Sequence, residues 1–110
     1  MTSPFYVVAT LQPAPGKTQE VLATLKSFTE YVKATVPGCL QLEIFRPVDA
    51  EDGSDTPIFF IELWDNMEAL EALRKTEEYK ALYAKVESDS LLSAVPEFKA
   101  LKSVLGFGPR

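Results

Sequence analysis

Two glutamates draw attention first because each lies inside an apolar run. Glu43 sits in the stretch from Cys39 to Arg46, and Glu62 in the stretch from Ile58 to Trp64. If these runs are paired strands joined by a loop centred near Asp52 and Gly53, the two carboxylates are expected close to opposite each other. Two poorly solvated carboxylates cannot both ionise without a large cost, so one pKa rises toward neutrality. A carboxylate of that kind serves as a general base where histidine is missing, and this chain has no histidine at all. That absence excludes Ser-His and Cys-His nucleophiles, histidine-built zinc sites and a haem held by a proximal histidine. Glu62 is the first candidate for acid–base work and Glu43 the second. The plainer expectation is that each finds a donor, such as Arg46, a lysine or a backbone amide, at a subunit contact.

Other residues have a chemical and a structural reading side by side. Trp64 can stack on an aromatic ligand or simply anchor a strand end. Tyr6, Tyr31, Tyr79 and Tyr83 can donate to a ligand oxygen, although Tyr79 falls on the buried stripe of its helix. Cys39 follows a Pro-Gly turn with no basic neighbour, which fits a small buried filler better than a nucleophile. The acidic stretch from Asp49 to Asp55 lacks the spacing and terminal glutamate of a calcium loop and reads as solvated. No metal and no cofactor are expected.

The elements that must position these groups follow from the hydrophobic pattern. Phe5 to Gln12, rich in β-branched and aromatic residues, predicts a first strand that stops at Pro13 to Gly16. Thr18 is expected as the N-cap of a long helix whose stripe is Val21, Leu25, Phe28, Val32 and Val36, ended by Pro37-Gly38. In the second strand Leu40, Leu42 and Ile44 are expected on one face, with Cys39, Gln41, Glu43 and Phe45 on the other. Pro47 to Pro57 predicts a hairpin loop. In the third strand Ile58, Phe60, Glu62 and Trp64 share one face, and Phe59, Ile61 and Leu63 the other. Asp65 and Glu68 resemble a capping box before a short helix carrying Met67, Leu70 and Leu73. Thr76 is expected to cap the next helix, with Tyr79, Leu82 and Val86 buried. Ser88 to Ser93 reads as a loop, and Phe98 to Phe107 as the last strand, centred on Leu101 to Leu105.

The order is strand–helix–strand–strand–helix–strand, an α+β arrangement of the ferredoxin-like kind with an antiparallel sheet. Its 110 residues fit one domain, residues 1–110. The third strand is apolar on both faces, so both need cover. Helices supply one cover and a second subunit is expected to supply the other. The net charge of −5, with no basic run, argues against nucleic acid or an anionic membrane as partner. The single cysteine, the absence of a signal-like start and of a membrane-length apolar run predict a cytoplasmic protein.

Particular residues then narrow the comparison. Pro15-Gly16 opens the long helix, Pro37-Gly38-Cys39-Leu40 begins the second strand, and Phe60-Ile61-Glu62-Leu63-Trp64 closes the third. Ala69-Leu70 and Tyr79-Lys80-Ala81-Leu82 follow at matching intervals. In this order and spacing the chain resembles the antibiotic-biosynthesis-monooxygenase family of dimeric α+β barrels. The resemblance implies a homodimer and a cofactor-independent oxidoreductase acting on a small aromatic or polyketide-type substrate. It places Trp64, Phe60, Leu73 and Tyr83 on the ligand cleft. The departures are specific. The family's usual histidines fall at Leu73 and Glu78. Where haem-degrading relatives carry asparagine, tryptophan and histidine, this chain has Ala9, Leu73 and Tyr83. Where anthrone-oxidising relatives carry an asparagine and a tyrosine, it has Phe60 and Leu70, and only Trp64 is kept. Two other expectations therefore stand beside the oxygenase: an isomerase or cyclase on the same fold, and a non-catalytic ligand-binding or stress-response barrel.

Overall fold

The computed structural model describes residues 4–110. The chain order is β1 (Phe5–Leu11), α1 (Thr18–Thr35), β2 (Cys39–Phe45), β3 (Ile58–Trp64), α2 (Met67–Arg74), α3 (Glu77–Ser88) and β4 (Glu97–Leu101). The four strands form one antiparallel sheet in the order β2-β3-β1-β4. This is the expected ferredoxin-like arrangement, with the helices on one face of the sheet.

Alternation along β1 buries Phe5, Val7, Ala9 and Leu11 under the helices, and β3 does the same with Ile58, Phe60, Glu62 and Trp64. These side chains do not form one continuous core. One cluster gathers around Trp64, Leu70 and Leu73, and a second around Ile58, Phe60 and Leu91. Leu91 is held there because the segment after α3 is tied back to the end of β1. Ala14 N–H donates to the Leu91 carbonyl at 2.8 Å, and Ser93 N–H to the Gln12 carbonyl at 2.9 Å.

Several local expectations are corrected. Thr18 is the first residue of α1 rather than its N-cap, which is Lys17. The Thr18 hydroxyl instead donates to the Asp55 carboxylate and to the Ser54 carbonyl, both at 2.9 Å, so the long loop clamps the helix start. Asn66, not Asp65, caps α2, accepting from Ala69 N–H at 2.8 Å. Thr76 caps α3 as expected. The last strand is shorter than expected and begins earlier. Only Glu97–Leu101 pairs with β1, and Val104, Leu105 and Phe107 are exposed beyond it.

The second strand differs in a way that matters for the site. A bulge between Cys39 and Gln41 leaves Leu40 exposed and turns Cys39 onto the same face as Leu42 and Ile44. Gly38, just before it, lies against α2, where a β-carbon would overlap the Ala69 side chain. Gly38→Ala is therefore expected to cost about 1–3 kcal/mol of stability through overpacking, read from denaturant unfolding. An unchanged midpoint would show that α2 yields at this contact.

Candidate active site

β3 carries Glu62 to the helix-covered face, where only 7% of its surface is exposed. Its neighbours across the sheet are Leu42 on β2 and Val7 on β1. The expected opposition of Glu43 and Glu62 is not formed. Glu43 pairs with Ile61, one residue out of that register. Because side chains alternate, a one-residue shift sends Glu43 to the other face. There it is exposed and accepts from Gln41 Nε2 at 2.6 Å. The register that forms is the one that buries Leu42 and Ile44 beside Glu62 and Phe60.

Arg46 does not reach Glu62 either. Its guanidinium is spent on the hairpin loop, donating to the Ser54 carbonyl and hydroxyl and to Thr56 Oγ1 at 2.9–3.0 Å. The donor that Glu62 has is Trp64, whose Nε1–H donates to Oε1 at 2.9 Å. Trp64 is fully buried, at 0% exposure. It stands behind the carboxylate in the first core cluster and is not on the cavity wall.

Between the sheet and the helices lies a cavity of about 470 Å³. Phe60, Glu62, Leu73 and Tyr83 all face it, as do Arg74 and Tyr79. Its volume falls within the range of small-molecule sites, and its wall is mostly apolar with a few polar groups set into it. Arg74 carries no signal in the sequence, whereas Tyr79 packs against the Trp64 cluster, as its place on the helical stripe predicts, and borders the cavity as well. A signal for the tyrosine pair was present in their four-residue spacing, which stacks Tyr79 and Tyr83 on one helix face. Tyr79 Oη donates to Tyr83 Oη at 3.2 Å.

The electrostatics follow from burial. Loss of water pushes the Glu62 carboxyl above its ordinary range, while the Trp64 N–H and the Arg74 charge hold it back. Burial, with the Glu62 charge adding to it, pushes the Tyr83 phenol upward, so it stays a donor and not a base. Burial pushes the Cys39 thiol to about 11, with the Glu62 charge adding to it, so the reactive thiolate is scarce. Glu62 is thus a carboxyl at this wall that burial makes more basic than a carboxylate in water. Among the described residues, no three His, Cys, Asp or Glu side chains converge as metal ligands would.

A family model described as antibiotic biosynthesis monooxygenase matches residues 4–85. Among solved structures, a Caulobacter crescentus protein provisionally named an antibiotic biosynthesis monooxygenase is 26% identical. It has a TM-score of 0.78, with 94% of this chain and 92% of that one covered. PA3566 from Pseudomonas aeruginosa is 23% identical, with a TM-score of 0.79 and coverage of 96% and 98%. Rv0793 from Mycobacterium tuberculosis is 20% identical, with a TM-score of 0.79 and coverage of 96% and 100%. The last two likenesses show the fold. No curated protein matches the chain.

Proposed function

The chain belongs to the antibiotic biosynthesis monooxygenase family, and from that premise we propose a cofactor-independent enzyme acting on a small aromatic or polyketide-type substrate. The observation that carries this reading is the apolar cavity with Glu62, a nearly buried carboxylate, on its wall. Glu62 takes a proton from a phenol or an activated carbon, and the electron pair stays on the substrate. In the oxygenase version the resulting carbanion adds dioxygen to give a peroxide, which Glu62 reprotonates. Loss of water from that hydroperoxide leaves a new carbonyl, so a CH₂ and O₂ become C=O and H₂O. In an isomerase or cyclase version the same proton returns at another atom. Phe60, Leu73 and Tyr83 bound the substrate, while Trp64 acts on it through Glu62.

The test is a structure soaked with a panel of phenolic and anthrone-like compounds, combined with oxygen-uptake measurements. The expected result is density in the cavity against Glu62, with oxygen consumed by the compounds that bind. A cavity that stays closed to every member of the panel overturns the proposal. Phe60, standing where anthrone-oxidising relatives have asparagine, favours ligand binding without turnover. Density without oxygen uptake or product would select that reading.

We also propose a homodimer closed through the outer face of the sheet. Tyr6, Phe45, Phe59 and Leu101 project there and remain substantially exposed, with Val8, Ile61 and Leu63 between them. Isolated exposed apolar residues are ordinary, but a contiguous sheet face of this kind marks an interface. A second copy is expected to bury more than about 1,000 Å² in total. Sedimentation should give a dimer at micromolar concentration, and Ile61→Asp should yield monomers. A stable wild-type monomer would refute it. Among the described residues no helix is long and apolar enough to cross a membrane, and a cytoplasmic setting goes with this reading.

A further inference from the structure

The cavity wall near the Trp64 cluster carries Glu62, Arg74, Tyr79 and Tyr83, whereas the wall near the Ile58 cluster is built mainly from Leu11, Leu25, Val86 and Leu92, with Glu87, Ser90 and Ser93 beside them. Arg74 is the only cation among the lining residues. As the last residue of α2 it complements the helix dipole, which explains a basic residue there but not one that borders a cavity. It forms no ion pair among the described residues. Its field reaches both Glu62 and Tyr83. Tyr83 receives the Tyr79 hydroxyl on its oxygen, so its own proton is left to donate elsewhere.

We propose that the Arg74 guanidinium and the Tyr83 hydroxyl form an oxyanion subsite, so that the cavity takes weakly acidic aromatic hydroxy compounds as their anions. This rests on the acid–base reading of Glu62 given above and adds where the charge goes. While Glu62 is ionised, its carboxylate offsets Arg74. When Glu62 accepts the proton of the ligand O–H, that offset disappears from the protein and reappears on the ligand oxygen. The single negative charge stays within reach of the same guanidinium, and Tyr83 adds a hydrogen bond that is stronger to an anion than to a neutral oxygen. Glu87 also lines the cavity but lies beside Val86 at the other end, and Cys39 on β2 stays a thiol. With Arg74 as the one cation of the lining, the site accommodates one anion and not two, which favours a monoanionic phenolate or enolate over a dicarboxylate.

The test uses para-nitrophenol, whose anion absorbs in the visible, and nitrobenzene as its neutral counterpart, each titrated with the full chain. At a pH near the probe's own pKa, adding protein should increase the phenolate band, with the bound anion preferred about tenfold over the bound phenol. Arg74→Met should abolish that preference and leave nitrobenzene binding unchanged, Arg74→Lys should restore part of it, and Tyr83→Phe should reduce it. Nitrobenzene binding with no phenolate preference, or a preference that survives Arg74→Met, overturns the subsite while leaving the cavity reading in place. If neither probe binds, the ligand cavity itself is refuted and the subsite falls with it.

Discussion

Glu62→Gln is expected to lower turnover about 100-fold or more on an identified substrate while leaving ligand affinity nearly unchanged. The substitution keeps the shape of the side chain and its contact to Trp64 Nε1, and removes only the group that exchanges a proton. The same variant should be at least as stable as the wild type at neutral and alkaline pH. The folded-state pKa of Glu62 lies above its unfolded value, so between the two values the folded chain binds more protons than the unfolded one. Its contribution to stability is therefore present below the unfolded pKa and is lost as pH rises through the folded pKa. Glutamine does not titrate, so thermal unfolding of the variant should lack the decline that the wild type shows as pH rises through the folded-state pKa of Glu62. Loss of activity together with a gain in stability above that pKa is the pattern of a group held for function at a cost to folding. Full activity in Glu62→Gln would refute the catalytic assignment, and early melting or loss of the dimer would show a structural role.

Trp64→Ala is expected to destabilise the chain by about 3–5 kcal/mol, the range for emptying a fully packed aromatic site. The indole is completely buried against Phe5, Val7, Val32, Leu70 and Leu73. The variant also leaves Glu62 without its N–H donor. A gentler substitution separates the two effects. Trp64→Phe retains most of the packing and removes the hydrogen bond that favours the ionised carboxylate. The acid limb of the pH–rate profile should then move to higher pH, because the base needs a higher pH to ionise. A profile that does not move would show that Trp64 and Glu62 are coupled only through packing.

Much of this molecule was legible in its residues. The alternation of Phe59 to Trp64, the helical stripe of Val21 to Val32 and the Pro37-Gly38 break state their own periods, and periodicity is a local property. The family resemblance was equally legible, since Glu62, Leu63 and Trp64 with Ala69 and Leu70 behind them are a linear pattern. The β3 alternation alone put Glu62, Phe60 and Trp64 on one face, as the structure does.

What the sequence did not determine depends on how separated segments are aligned in space. A loop of a dozen residues does not set strand register to within one residue, and one residue decided that Glu43 faces away from Glu62. The bulge at Leu40, which turned Cys39 inward, follows from fitting β2 to the packed face of β3. Whether Trp64 bordered the ligand space or stood behind it depended on the distance between two core clusters, and no single segment encodes that distance. Arg74 and Tyr79 entered the site because α2 and α3 close over the sheet, where Leu70, Leu73 and Phe28 pack together. Local sequence thus specified which faces are apolar. The tertiary structure decided which polar groups those faces surround, because register and packing are cooperative choices made by the whole chain at once.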